Sequence, residues 1–241
     1  MNQLISLASQ TLDHLPEGAR LAWHRHRAPY VAVVLRGNLE EVGEQGRRNL
    51  GPGSVIVHDP FEAHSDRVIG AGVDILNIAL DREGVLPARA SVLKDIDGLV
   101  RIVEFDPKHV LEWIAPRLEN APCEILEWPD QLARDMLHDT GLNLRQWADH
   151  TGLRVETISR GFRNAFGLSP KQFRASVRAR KAWKAIVNCE ASLSDIAYSS
   201  GFSDQAHMSR AVKQLTGYPP GHWGGSTGFK TPAASRVSLT S

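Results

Sequence analysis

Two stretches decide how this chain folds: NLRQWADHTGLRVETISRGFRNAFGLSP at residues 143–170 and SLSDIAYSSGFSDQAHMSRAVKQLTGYPP at residues 192–220. Ala148 and Gly152 recur as Ala197 and Gly201 at an offset of 49, whereas Ser159-Arg160, Gly167 and Pro170 recur as Ser209-Arg210, Gly217 and Pro220 at an offset of 50. One residue is inserted after the glycine of the second copy. Self-similarity at a fixed period marks a repeated supersecondary unit. Each copy reads as a short helix, a glycine turn and a second helix, the helix-turn-helix arrangement that lays its second helix in a DNA major groove.

The residue types sharpen that reading. In the first copy Asn143 is an N-cap with Gln146 three residues on, Leu144, Trp147 and Ala148 share a face, and Thr151-Gly152 ends the helix. The spacing predicts a second helix over Leu153–Phe166, with Val155, Ile158, Phe162 and Phe166 inward and Glu156, Thr157, Ser159, Arg160 and Arg163 outward. In the second copy Ser192 and Asp195 form a capping box, Ser203 caps the next helix, and Met208, Ala211, Val212 and Leu215 supply its core stripe. Gln205, His207, Ser209 and Arg210 face outward, with Lys213 nearer a phosphate. Arginine can donate two parallel hydrogen bonds to guanine and glutamine can pair with adenine, each good contact discriminating by about 1–3 kcal/mol. Arg178, Arg180, Lys181 and Lys184 fall on the joining helix, where cations would touch phosphates and fix the register. Gly201 and Arg210 are nine apart where Gly152 and Arg160 are eight apart, and the first recognition helix lacks a side-chain cap. The expectation is asymmetric reading, with Arg210 mattering more than Arg160.

The whole 241-residue chain carries a net charge of only +1, but the charge is unevenly placed. Residues 1–137 hold 14 Lys and Arg against 21 Asp and Glu, while residues 138–223 hold 12 against 6. A basic module beside an acidic one suits a nucleic-acid reader joined to another function. The two cysteines, Cys123 and Cys189, sit in no metal-ligand pattern, so a disulfide framework and a zinc finger are not expected. There is no signal-peptide pattern and no membrane-length apolar run, and the expected location is the cytoplasm.

From Leu21 to Leu80 the chain consists of short apolar runs, Tyr30–Leu35, Ser54–Val57 and Val73–Leu80, punctuated by Gly37, Gly43, Gly46, Gly51-Pro52-Gly53 and Pro60. Such runs are strands of a compact antiparallel sheet, closed as a small barrel or sandwich. His24-Arg25-His26, Tyr30 and Gly37, with His64 later, resemble the two motifs of a cupin barrel. Tyr30 stands where the cupin pattern has an acidic metal ligand. No metal and no cofactor are therefore assigned, and His24, His26, Tyr30 and His64 are read as lining a small-molecule effector site or as a satisfied structural cluster. Over residues 91–137, Leu111, Ile114, Leu118, Leu132, Met136 and Leu137 fall at helical spacing. These helices either carry a dimer contact or pack on the barrel and join the domains.

Residues 143–223 resemble the DNA-binding domain of the AraC/XylS family of bacterial transcription regulators. Ala148, Gly152, Ser159-Arg160, Phe162, Gly167-Leu168-Ser169-Pro170, Arg178 and Ala182 carry the likeness, followed by Asp195-Ile196-Ala197, Gly201-Phe202-Ser203-Asp204, Ser209-Arg210, Lys213, Gly217 and Pro219-Pro220. The resemblance implies an α+β chain of two domains, an N-terminal antiparallel cupin-like barrel and a C-terminal all-α double helix-turn-helix bundle. The boundaries expected are 1–90 for the effector or dimerisation domain, 91–137 for a helical linker, 138–223 for the DNA-binding domain and 224–241 for a disordered tail. It also implies that both recognition helices enter successive major-groove segments about 34 Å apart. Base reading then falls to Glu156, Ser159 and Arg160 in the first unit and to Gln205, Ala206, His207 and Arg210 in the second. The function implied is a non-enzymatic, sequence-specific transcription regulator, with an effector-responsive activator as its candidate form and double-stranded DNA, RNA polymerase and a second copy as candidate partners. The competing reading is a metal-dependent cupin dioxygenase or isomerase fused to a DNA-binding domain.

Overall fold

The computed structural model describes residues 3–5, 10–81, 86, 88–121, 127–188 and 191–224. The tail 225–241 and both cysteines lie outside the described residues. Two units separate by their internal contacts: Met1–Glu41 with Arg48–Glu124, and Val42–Arg47 with Ile125–Lys230. Among the described residues no helix is long and apolar enough to cross a membrane.

The first unit is built on nine strands: β1 (Gln3–Ile5), β2 (Gln10–Leu15), β3 (Arg20–His26), β4 (Tyr30–Gly43), β5 (Gly46–Leu50), β6 (Ser54–His58), β7 (Ala63–Ala79), β8 (Ala90–Leu93) and β9 (Leu118–Asn120). Their order is β1-β3-β7-β4-β6-β8-β9, with β2 also on β7 and β5 also on β4. β2 and β3 run antiparallel to β7, and β6 runs antiparallel to β4 and β8. The sheet is antiparallel as expected, with one parallel edge pair, β1 with β3. The strand between them, β2, hydrogen-bonds to β7 instead, so β1 and β3 are not hairpin neighbours.

The near-continuous apolar run of β4 is explained by burial on both faces. Val31 and Val33 pack with Val55, Leu76 and Ile78 in one core, to which Leu99, Val110 and Ile114 belong. Tyr30, Ala32 and Val34 face a cavity on the other side. The last three apolar residues of that core place the helices α1 (Ile96–Phe105) and α2 (Val110–Ile114) on the sheet. Asp95 caps α1 by accepting from the Gly98 N–H at 2.8 Å. Part of the segment expected to be a helical linker is sheet, since β8 and β9 occupy Ala90–Leu93 and Leu118–Asn120. Strands of three or four residues are too short to show a period.

The two long strands both change which residues face the cavity. On β4 the inward set is Tyr30, Ala32 and Val34 and then Leu39 and Glu41; on β7 it is His64 and Asp66 and then Ile75 and Asn77. A period of two cannot turn even positions into odd ones without an irregularity. Gly37 (φ 80°), Gly70 (φ 78°) and Gly72 (φ 118°) supply it, in a backbone region that side chains avoid. Gly37 and Gly72 meet so closely that a Cβ on Gly37 would overlap the Gly72 carbonyl.

The second unit contains α3 (Trp128–His138), α4 (Leu144–Thr151), α5 (Val155–Phe166), α6 (Pro170–Val187), α7 (Leu193–Ser199) and α8 (Gln205–Thr216). Amphipathic spacing decides the core: Ile158, Phe162 and Phe166 of α5, Phe173, Val177 and Trp183 of α6, and Met208, Val212 and Leu215 of α8 are buried. The Phe162 and Phe166 rings stack at 4.4 Å, and Phe173 meets both edge-on. Val42–Arg47 joins this unit through two ion pairs, Arg47 with Asp130 at 2.8 Å and Arg180 with Glu44 at 2.7 Å.

Capping distinguishes the helices. Asn143 accepts from the Arg145 and Gln146 N–H groups, as the sequence suggests. Ser192 accepts from the Asp195 N–H, which is one half of the expected capping box. The complete, reciprocal box is at Ser169 and Gln172, heading α6. Asp204, not Ser203, caps α8 by accepting from the His207 N–H at 2.7 Å, while the Ser203 hydroxyl donates to the Asp204 carboxylate. A carboxylate at the N-cap is also favoured by the helix dipole. Arg154 is the N-cap of α5, and its side chain makes no cap bond.

Two stability predictions follow from this architecture. Gly37→Ala should prevent the first unit from folding stably, whereas Gly18→Ala, at a similar positive φ with open space around it, should cost only about 1–2 kcal/mol. Equal losses in denaturant melts would contradict the close approach. Arg154→Ser should raise stability by about 0.5–1 kcal/mol by supplying the missing cap; an unchanged or lower denaturation midpoint would show that α5 does not need one.

Candidate nucleic-acid interface and barrel cavity

Helices α5 and α8 are each 12 residues long and offset by 50. Arg160 is the sixth residue of α5 and Arg210 the sixth of α8, so the two arginines hold equivalent helical positions. The residue inserted in the second copy is absorbed by the turn before α8. This corrects the expectation that unequal glycine-to-arginine spacings would make the arginines inequivalent. The remaining asymmetry lies in the caps and in the side chains around each arginine.

On α5 Glu156, Thr157, Arg160 and Arg163 are exposed and Ser159 is half-buried. Glu156 sits in the first helical turn, where an acid is favoured by the helix dipole and partly offsets the missing cap. On α8 Gln205, Ala206, His207, Arg210 and Lys213 are exposed, as is Ser203 ahead of the helix. Among the described residues neither Arg160 nor Arg210 is engaged in an ion pair. His207 is held edge-on to Phe202 at 5.2 Å, and Gln205 accepts from the Ser194 hydroxyl at 3.2 Å. These two side chains are therefore partly preoriented. Arg160 and Arg163 also line a concavity of about 520 Å³ with Ser169, Lys171 and Arg174, a cationic surface beside α5.

The joining helix does not present all its cations. Arg178 donates from Nε to the Thr140 carbonyl at 2.9 Å and holds the turn before α4. Arg180 is buried against Glu44. Both were expected to touch phosphates; the structure gives them internal partners instead. Lys181 remains exposed on this helix.

In the first unit the sheet registers assemble the other cluster. His24 on β3 lies opposite His64 on β7, and Tyr30 on β4 lies opposite His58 on β6. Cross-strand partners stand side by side on one face. Ring centroids are 4.1 Å apart for His24 and His64, 4.3 Å for His58 and His64, and 4.6 Å for Tyr30 and His58. All four sequence-selected residues, His24, His26, Tyr30 and His64, come together, all buried. Five further polar residues, His58, Glu41, Asp66, Asp13 and Asn77, line the same cavity without having been singled out in the sequence. Asp66 was legible, since it lies two residues beyond His64 and strand neighbours at that spacing share a face. His58 and Glu41 need the cross-strand register and the break at Gly37.

Electrostatics keeps most of this cluster neutral. Burial holds His24 and His64 below the ordinary imidazole value and takes His26 down to about 2. Burial acts the same way on His58, but Glu41 at 3.2 Å overcomes it and raises that group. Burial and then Glu41 push Asp66 up to about 8, and burial raises the Tyr30 phenol well above its usual range. The neutral phenol donates to His64 Nε2 at 3.1 Å. The His24 Nδ1–H donates to the Ala22 carbonyl at 2.9 Å, which leaves Nε2 as its lone-pair nitrogen. The cavity volume is about 110 Å³.

Comparisons with known proteins concern both units. A family model described as a helix-turn-helix domain matches residues 147–225. The virulence regulon transcriptional activator VirF of Yersinia enterocolitica is 29% identical over 205 residues, covering 85% of this chain and 72% of that protein. The transcriptional activator RhaS of Escherichia coli is 34% identical over 73 residues, which is 30% of this chain and 26% of RhaS. Among solved structures, ToxT from Vibrio cholerae is 10% identical with a TM-score of 0.41, covering 89% of this chain and 95% of that one. With its paired helix-turn-helix units and its spaced glycines and arginines, this chain carries a helix-turn-helix domain over residues 147–225 and is similar to these transcriptional activators.

Proposed function

We propose that this chain is a transcriptional activator that reads an asymmetric DNA site through α5 and α8 and senses a small ligand in its N-terminal cavity. The observation that carries the DNA reading is the matched pair of helices, each offering an exposed arginine at its sixth position within a polar face. Arg160 and Arg210 read guanines, Gln205 and His207 add base contacts, Glu156 faces a cytosine amino group, and Arg163, Lys181 and Lys213 contact phosphates. Thr157, Ser159, Ser203 and Ala206 fill the remaining positions of the two reading faces. The activator assignment is supported by the similarity to VirF and RhaS, both transcriptional activators.

The cavity constrains its ligand. Its volume is below the roughly 300–1,000 Å³ of pockets that take drug-sized molecules. Among the described residues Asp13, Glu41 and Asp66 line it with four histidines and no lysine or arginine, which disfavours an anionic effector. Partners assigned on this reading are double-stranded DNA, RNA polymerase and a second copy of the chain, in the cytoplasm. Helix α1, with Phe105 82% exposed, is the candidate dimer face. Enzymatic activity is not assigned.

Because the two arginines are equivalent in their helices, Arg160→Ala and Arg210→Ala should each weaken binding to the specific site by about 1–3 kcal/mol, with little change on random duplex at fixed salt. Fluorescence anisotropy with both DNAs measures this. A variant that weakens both equally would show its arginine contacting phosphate alone.

A further inference from the structure

We propose that the concavity beside α5 binds a small organic acid, a compact apolar body with a carboxylate, sulfonate or phosphate head, and that this ligand excludes DNA from α5. The lining supplies the anion chemistry. Arg160 and Arg163 of α5 and Lys171 and Arg174 of α6 all line it, and among the described residues no carboxylate does. Arg160, Arg163 and Lys171 are exposed, and among the described residues none of the three is engaged in an ion pair. Arg174 is half-buried and held in place, because it donates to the Leu142 carbonyl at 2.7 Å. That bond sets the plane of its guanidinium, a fork whose parallel N–H groups match two oxygens of one anionic head.

Two helices begin at the same place. Leu144 is the first residue of α4, and Pro170 and Lys171 open α6, so the positive ends of both helix dipoles add to the field of the side chains. The rest of the lining is of another kind. Buried Met136 and half-buried Leu142 and Leu144 give the concavity an apolar surface beneath its cations. A backbone phosphate of DNA would satisfy the cations but brings no apolar body to cover these three residues. An acid with an aromatic or branched aliphatic body uses both halves of the lining.

Size separates this site from the cavity of the first unit. A volume of about 520 Å³ lies within the roughly 300–1,000 Å³ of pockets that take drug-sized molecules, whereas the other cavity has about 110 Å³ and three carboxylates. The consequence for DNA follows from Arg160, which lines the concavity and sits on the reading face of α5. A head group that engages Arg160 withdraws it from a base edge, so acid and DNA compete for one side chain. This competition rests on α5 reading bases as proposed above; the binding of the acid does not.

The test titrates the full-length chain with anilinonaphthalene sulfonate, an aromatic acid whose emission rises in apolar surroundings, and with its uncharged parent phenylnaphthylamine. The expected result is one sulfonate per chain, bound about tenfold more tightly than the uncharged parent and weakened about tenfold in Lys171→Glu and in Arg163→Glu. Lys171 is exposed in the first turn of α6, where an acid suits the helix dipole, so its replacement keeps the fold. Circular dichroism checks both variants. Phe105→Ser, which removes an exposed aromatic side chain from α1, leaves the affinity unchanged. Duplex carrying the selected site displaces the sulfonate. Absence of saturable binding, an affinity indifferent to the folded Lys171 and Arg163 variants, or loss of binding in Phe105→Ser overturns the proposal. So does inorganic phosphate competing as well as the sulfonate, because the apolar lining is then idle and the cations serve the DNA backbone alone. Sulfonate and selected duplex bound together also overturn it. A chain that binds the sulfonate at these residues but selects no DNA sequence defeats the regulator reading alone.

Discussion

Helix α6 is the member on which the DNA-reading geometry depends. Its N-terminal half buries Phe173 against the stacked Phe162 and Phe166 of α5, and its C-terminal half buries Trp183, which meets Trp223 edge-on beyond α8. Helices α5 and α8 are thus fixed through their apolar stripes to a common rod, and their opposite faces are left exposed. The reciprocal box of Ser169 and Gln172 holds the start of that rod, and Arg178 and Arg180 are drawn inward to hold its flanks. Cations on a joining helix are easily read as phosphate contacts. Here two of them act within the protein.

The first unit follows a different logic. A small sheet domain gains stability by filling its interior with apolar side chains, yet this one lines a cavity with four histidines, a tyrosine and several carboxylates. Unpaired buried polar groups are destabilising, by about 1–3 kcal/mol each when left without partners. Cross-strand stacking and the bonds among Glu41, His58, Tyr30 and His64 offset part of that burden. His26 is left without its share.

Much of this was legible in the residues, for identifiable reasons. The helical repeat survives in sequence because glycine turns and apolar stripes obey local rules, so Ile158, Phe162, Met208 and Val212 could be placed in the core directly. Phase within a turn is harder to read. Counting from Gly152 and Gly201 suggested a difference between Arg160 and Arg210 that disappears once each is counted from its own helix start. The cap at Asp204 was missed for a neighbouring reason, since Ser203 and Asp204 are both good caps and only the backbone decides between them. In the sheet, His24, His26 and His64 follow from local spacing. Glu41 and His58 do not, because their meeting requires strand pairing and the reversal of facing at Gly37 and Gly72, which are long-range facts.

The central claim is that α5 and α8 read sequence together. Selection of bound duplexes from a random DNA pool by the full-length chain tests it most directly. The expected result is one enriched, non-palindromic element per chain, with two conserved segments about one helical turn apart, each containing a guanine lost from the consensus when Arg160 or Arg210 is replaced. Recovery of no consensus, or of a single segment untouched by either substitution, would contradict it.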